Sequence, residues 1–149
     1  MALNNTALSL YEADDYAEVE PLIRRALAIN EKTLGRDHPH VATNLNILGS
    51  LLGTRGDYSG AEPLLRRALA IDEKALGEQH PSVASDLNIL AELLEAMKDF
   101  AGTELLYRRA LAIDERARGP NHPTTQKIKS NLDDLLKKMA QTTAPKPQN

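Results

Sequence analysis

Apolar side chains recur along the chain at the spacing of amphipathic helices. Between positions 61 and 76 they form a single stripe, which consists of Ala61, Leu64, Leu65, Ala68, Leu69 and Leu76. The segment before it has the same three- and four-residue spacing at Val41, Leu45, Leu48, Leu51 and Leu52. Good helix formers dominate the composition, and no β-branched run marks a strand. The pattern therefore predicts consecutive helices, each with one buried face.

The helical pattern itself repeats every 42 residues. The hexapeptide Arg-Arg-Ala-Leu-Ala-Ile begins at positions 24, 66 and 108, and the dipeptide His-Pro begins at positions 38, 80 and 122. A period of this size is typical of stacked helix pairs. We therefore predict an all-α solenoid in which antiparallel helix pairs lie side by side.

Prolines and glycines set the predicted helix boundaries. Each His-Pro proline suits the first turn of a helix, and the glycine three residues before each histidine suits a left-handed residue that closes the previous helix. We predict helices at about 2–13, 16–34, 39–54, 58–76, 81–96, 100–118 and 123–140. They form three repeats, at about 1–34, 39–76 and 81–118, and one remaining helix at about 123–140.

The two ends of the predicted array differ. The last helix keeps one apolar stripe but places Lys129 and Asp133 where the third repeat has Leu87 and Ala91, so we predict a C-terminal capping helix with a polar outer face. Residues 141–149 are polar and contain two prolines, which predicts a disordered tail. The N-terminal helix keeps the interior apolar pattern, so this end is a candidate for self-association.

These units resemble the tetratricopeptide repeat, whose first helix carries a large residue, a Leu followed by a small residue, and a second large residue. Here Leu45, Leu48-Gly49 and Leu52 match that pattern. The period exceeds the family's usual length of about 34 residues. The longer unit, with Leu34-Gly35 before His38-Pro39, is similar to the variant in kinesin light chains. The resemblance implies a right-handed superhelix of three units plus the capping helix, with first helices lining a concave groove.

Composition and charge exclude several other functions. The net charge is −3 with both signs mixed, and only five aromatic residues are present (four Tyr and one Phe), so the basic and aromatic features of a nucleic-acid binder are missing. No apolar run could cross a bilayer, so we expect no membrane span. The lack of cysteine fits a reducing compartment, and we expect a cytoplasmic protein.

The repeated histidines and arginines have structural interpretations. His38, His80 and His122 are each one repeat apart, too far to share a metal ion, and we expect them to cap helices or pack between repeats. The Arg-Arg pairs could form a ladder for acidic partners. We favour an ion-paired, solvated face, because a glutamate precedes the first arginine of each pair by four residues. No catalytic motif is present, so we expect neither an enzyme, a metal nor a cofactor.

A row of asparagines is the principal candidate site. Asn4, Asn46 and Asn88 recur at the repeat spacing on first helices. An amide can hydrogen-bond the backbone of a peptide, and the resemblance implies that an Asn at this place clamps a ligand. The alternative is a bond to the preceding helix pair, and the sequence leaves both open. Further groove candidates on the same face are Thr43, Ile47, Ser50, Ser85, Ile89 and Glu92.

Two functions follow as hypotheses. The first is a scaffold whose groove binds a peptide or helical segment of another protein. Because the groove turns acidic toward the third repeat and lacks Lys and Arg, we expect a partner with apolar side chains and a basic end. The second is a structural module that stacks on another copy or on an adjoining domain.

Overall fold

The computed structural model describes residues 16–143 and residue 147. That part of the chain contains six helices and no strand. They are α1 (Tyr16–Leu34), α2 (Pro39–Thr54), α3 (Tyr58–Leu76), α4 (Pro81–Ala96), α5 (Phe100–Ala117) and α6 (Pro123–Thr143).

The observed helices match the predicted ones closely. The bounds of α1 to α4 coincide with the prediction, and α5 ends one residue earlier than predicted. Helix α6 continues to Thr143, so the prediction that the disordered tail begins at residue 141 is wrong for residues 141–143. The predicted helix at 2–13 lies outside the described residues.

The repeated histidines cap the helices that follow them. The Nδ1 atom of His38 accepts a hydrogen bond from the backbone N–H of His40 at 3.1 Å, and His80 and His122 accept equivalent bonds from Ser82 at 3.1 Å and Thr124 at 3.2 Å. Each bond satisfies an N–H that has no partner within its own helix. The capping prediction is confirmed.

The glycine that precedes each of these histidines adopts a positive φ. The angles are 94° at Gly35, 93° at Gly77 and 92° at Gly119, in a region that side chains with a Cβ rarely enter. The chain can therefore turn sharply between the end of one helix pair and the capped start of the next. The predicted positive φ at these glycines is confirmed.

The helices bury their apolar faces against neighbouring repeats as well as within their own pair. Helices α2 and α3 form one antiparallel pair, α4 and α5 form the next, and α2 also contacts α4 directly. One core cluster draws on four helices, with Val19 and Ile23 from α1, Leu48 from α2, Leu65 from α3 and Leu90 from α4. The described chain is thus an all-α helical repeat solenoid.

Helix α6 packs with one face only. Its buried residues Ile128 and Leu135 join the core formed with α4 and α5, whereas Lys129 and Asp133 are exposed. This burial pattern agrees with the polar outer face that the sequence predicts for the last helix.

The arginine pairs bind acidic side chains within the chain. Glu20, Glu62 and Glu104 each pair with the arginine four residues later, at 3.0, 2.7 and 2.8 Å. The second arginine reaches the previous repeat, since Arg67 lies 2.7 Å from Glu31 and Arg109 lies 2.7 Å from Glu73. The predicted ion-paired face is confirmed, and it also connects consecutive second helices.

We expect Leu90→Ala to lower the free energy of unfolding by about 2–5 kcal/mol, because it removes buried atoms from a core that several helices share. The Leu90 side chain is 0% exposed. Urea denaturation followed by circular dichroism measures the change. The control is Leu105→Ala, at a side chain that is 71% exposed, where we expect a change of at most about 0.5 kcal/mol. Equal losses in the two variants would contradict this packing.

We expect His80→Ala to cost about 0.5–2 kcal/mol of stability, because the amide of Ser82 loses its acceptor. His80→Asn should restore most of that loss, since asparagine is among the best N-cap residues. Thermal unfolding of the two variants tests the role. If His80→Asn is as unstable as His80→Ala, capping does not explain the repeated histidine.

Candidate functional site

The Asn46 side chain joins two repeats. It extends from α2, and its Nδ2 atom donates a hydrogen bond of 2.6 Å to Oδ1 of Asp86 on α4. From the sequence, the alternative to ligand contact is that this asparagine bonds to the preceding helix pair. The observed bond is instead to the following pair. The partner, Asp86, is 3% exposed and was not identified from the sequence. Asp86 could have been found in the sequence, because it is a charged residue inside the apolar stripe of Val83, Ala84 and Leu87.

The Asn88 side chain also contacts other parts of the chain. It is 7% exposed, its Nδ2 donates to Oε1 of Glu92 at 3.0 Å, and its Oδ1 accepts from Nδ2 of Asn131 on α6 at 3.3 Å. Asn4 lies outside the described residues. The two described asparagines of the row therefore connect α2 to α4 and α4 to α6.

Two hydroxyl groups of the predicted face, and the neighbouring hydroxyl of Thr54, donate within their own helices. Thr43 donates to the carbonyl of Pro39 at 3.3 Å, and Ser85 donates to that of Pro81 at 3.3 Å. The carbonyl of Ser50 accepts from the Thr54 hydroxyl at 2.9 Å. Such bonds fix the side-chain rotamers and leave the acceptor lone pairs of the hydroxyl oxygens for other donors.

A cavity of about 300 Å³ lies between α2 and α4. It is lined by Gly49, Ser50, Gly53, Thr54, Leu65, Ile89, Glu92, Leu93 and Ala96. The two glycines of α2 allow neighbouring side chains to pack closely beside this space, since a Cβ atom added to Gly49 would lie 2.5 Å from Cδ2 of Leu65 and one added to Gly53 would lie 3.1 Å from Cδ1 of Leu93. The floor of the cavity is apolar, and hydroxyl groups and the Glu92 carboxylate stand at its rim.

A second cavity, of about 390 Å³, lies between α4 and α6. It is lined by Ser85, Asn88, Ile89, Pro123, Thr124, Lys127 and Ile128. Ile89 borders both cavities and is partly buried against the core, as is Ile47 on α2. We call the surface around the two cavities the first-helix face, defined by Ser50, Thr54, Ser85, Ile89, Glu92 and Lys127. Of the predicted groove residues, Ser50, Ser85, Asn88, Ile89 and Glu92 line these cavities.

Lysines of α6 lie opposite the acidic part of this face. Nζ of Lys127 is 3.8 Å from Glu92, and Nζ of Lys138 is 2.8 Å from Glu95. The hydroxyl of Tyr107 also donates to Glu95, at 3.2 Å, and burial, followed by the charge of that carboxylate, raises the Tyr107 pKa. The expectation that this part of the groove lacks cations is therefore wrong, because α6 contributes them from outside the third repeat.

The described residues contain no group of three or more His, Asp or Glu side chains that could hold a metal ion. Over the same part of the chain, no helix is long and apolar enough to cross a membrane.

Comparison with known proteins assigns the repeat type. The family model of the tetratricopeptide repeat matches residues 1–74 and 61–116. Repeats of this family generally mediate protein–protein interactions and are typically non-catalytic scaffolds. A comparison of the sequence with curated proteins gives no match.

Two solved structures share the fold. One is the crystal structure of nearly identical TPR-like repeats, described as those of a kinesin light chain, from Podosopora anserina. It has a TM-score of 0.80 and 21% identity over 97% of this chain and 76% of that chain. The other is BtubC (BKLC) from P. vanneervenii, with a TM-score of 0.73 and 22% identity over 97% of this chain and 65% of that chain.

The repeat period, the capped helix pairs and the family match agree with one another. The chain belongs to the tetratricopeptide repeat family, and its fold is of the kinesin-light-chain-like type.

Proposed function

We propose that this protein is a scaffold that binds a segment of a partner protein on its first-helix face. The observation that supports this most is the pair of cavities that meet at Ile89, because each combines apolar walls with polar groups at the rim. Binding sites commonly have this composition, in which apolar area supplies affinity and a few polar groups fix orientation. The role is non-catalytic, and in view of the missing cysteines we expect it in the cytoplasm.

The size of the cavity between α2 and α4 favours an apolar side chain of the partner as the anchor. Its floor includes Leu65, Ile89 and Leu93, and its volume of about 300 Å³ exceeds that of a single aliphatic or aromatic side chain. Burial of such a side chain contributes about 1.5–3 kcal/mol. The hydroxyl oxygens of Ser50 and Thr54 at the rim can accept hydrogen bonds from the backbone of the bound segment.

The charge at the rim favours a Lys or Arg next to that anchor. Glu92 is already paired with Lys127, but the 3.8 Å pair is exposed, with side-chain exposures of 66% for the lysine and 47% for the glutamate. Exposed pairs contribute about 0–1 kcal/mol, so a cation of the partner can replace Lys127 at little cost. The partner segment is thus apolar with a basic end.

In this proposal the described asparagines of the row have a structural role, because they hold the helices of the first-helix face in place. Asn46 and Asn88 hold the first helices of successive units in register through Asp86 and Asn131. The clamping of a ligand backbone by these amides, and by Asn4 in the same register, remains a prediction. The Asn88 oxygen, which accepts from Asn131, has a second lone pair for a ligand donor, whereas Oδ1 of Asn46 is buried.

A random peptide display library tests the proposal. We expect the protein to select peptides with an apolar side chain beside Lys or Arg. Ile89→Glu should then raise the dissociation constant of a selected peptide by roughly 30-fold, because it removes a central apolar contact worth about 2 kcal/mol. The matched control is Ile29→Glu, at an isoleucine of α1 that is 43% exposed. Circular dichroism checks that both variants keep their helices.

Two results would contradict the proposal. One is selection of strongly acidic peptides whose binding survives Glu92→Lys. The other is an equal loss of binding in Ile89→Glu and Ile29→Glu, since the bound surface would then lie outside the first-helix face.

Self-association through the N-terminal end is the competing proposal, and it concerns residues outside the described part of the chain. Light scattering over a range of protein concentrations tests it. We expect the mass of a monomer at high concentration if the first-helix face carries the function. A mass that rises with concentration, and that Ile89→Glu leaves unchanged, would favour assembly through another surface.

A further inference from the structure

Two buried carboxyl groups meet between the second and third repeats. Asp72 on α3 is 6% exposed, and Asp86 on α4 is 3% exposed. Their side chains lie within hydrogen-bonding distance of each other. Asn46 donates to Oδ1 of Asp86, but Oδ1 of Asp72 and Oδ2 of Asp86 are buried without a hydrogen-bond partner among the described residues.

The same positions differ in the other repeats. One repeat earlier they hold Asn30 and Asn44, and Nδ2 of Asn30 donates to Oδ1 of Asn44 at 2.7 Å. One repeat later Asp114 corresponds to Asp72, and its Oδ2 accepts from the hydroxyl of Thr125 at 2.8 Å. Each of those joints has a side-chain donor. The pair at 72 and 86 contains two acceptors when both groups are ionised, so it needs a proton to form a hydrogen bond.

We propose that Asp72 and Asp86 share one proton, and that the resulting hydrogen bond between a carboxyl and a carboxylate is a pH-sensitive latch between α3 and α4. When the proton leaves, two like charges face each other in a buried site, and the joint between the two helix pairs loosens. The latch also bears on the first-helix face, because Asp86 is the acceptor that holds Asn46.

The surroundings of the pair favour the shared proton. Burial is the largest cause that raises the pKa of both groups, and the Asp72 charge raises the pKa of Asp86 further, to about 8. The charge of Glu73 on α3 also raises the pKa of Asp86, although Glu73 itself is paired with Arg109 of α5 at 2.7 Å. The influences that lower the pKa values are the hydrogen bond from neutral Asn46 on α2 for Asp86, and, for Asp72, the hydrogen bond with Asp86 followed by the charge of His80.

The direction of the pH dependence follows from these shifts. An aspartate in the unfolded chain has a pKa of about 3.9, so between about pH 4 and pH 8 folding takes up a proton at this pair. The stabilising contribution of the latch is fully present below about pH 4 and is lost as the pH rises through about 8. Over that window the equilibrium constant for unfolding should rise by up to about tenfold per pH unit.

Urea unfolding of the full chain at several values between about pH 5 and pH 8 tests the latch. Asp86→Asn provides an amide donor, as in the pair of Asn30 and Asn44, so it should remove most of the pH dependence and be the more stable protein at the upper end. Asp72→Asn should behave alike and serves as the second variant if Asp86→Asn does not fold. Glu62→Gln, at an exposed ion pair on α3, should keep the wild-type slope.

A carbon-13 NMR titration of the aspartate carboxyl signals measures the protonation of Asp72 and Asp86 directly. In the wild type we expect one signal that titrates well above pH 4 and that disappears in Asp86→Asn. Signals of both Asp72 and Asp86 that titrate near pH 4, or an unchanged slope in Asp86→Asn, would overturn the proposal. So would Ca²⁺ or Mg²⁺ that stabilises the wild type and abolishes its slope without affecting Asp86→Asn, because the oxygens would then bind a cation.

Discussion

Apolar burial between neighbouring repeats is the interaction on which the rest of this structure depends. A single helix pair of this chain cannot enclose its own apolar stripes, and Leu48, Leu65 and Leu90 from three different helices meet in one cluster. The stacking that creates this cluster sets α2 beside α4 and thereby forms the first-helix face. The cavities on that face are consequences of packing, since one lies between α2 and α4 and the other between α4 and α6.

Polar contacts at the joints then fix how the repeats are aligned. The second arginine of the pair on α3, and its equivalent on α5, reaches back to a glutamate of the preceding second helix, while asparagine and aspartate side chains connect the first helices. Surface ion pairs contribute little individually, whereas a buried polar group that loses its partner costs several times more. We therefore expect a change of protonation at the buried pair of Asp72 and Asp86 to affect the alignment more than the loss of a surface ion pair.

The helices could be predicted because short sequence signals mark their ends, and these signals occur three times in the chain. His-Pro and the preceding glycine mark each boundary, and the structure shows the cap and the positive φ that these residue types favour. The contacts of the candidate site were not predictable in the same way. Whether Asn46 faces a ligand or Asp86 depends on how one helix is rotated against the next, and the repeat period carries no information on that rotation. The lysines of α6 were missed for the same reason, although Asp86 within an apolar stripe was a visible signal.

Binding of a partner segment on the first-helix face is the main proposal for this protein. It is tested most directly by mapping a library-selected peptide onto the isotope-labelled protein with NMR chemical-shift changes. We expect the largest changes at Ser50, Ile89 and Glu92, with little change along the arginine-bearing second helices. Changes concentrated at Arg66 and Arg108, with the cavity residues unaffected, would contradict it.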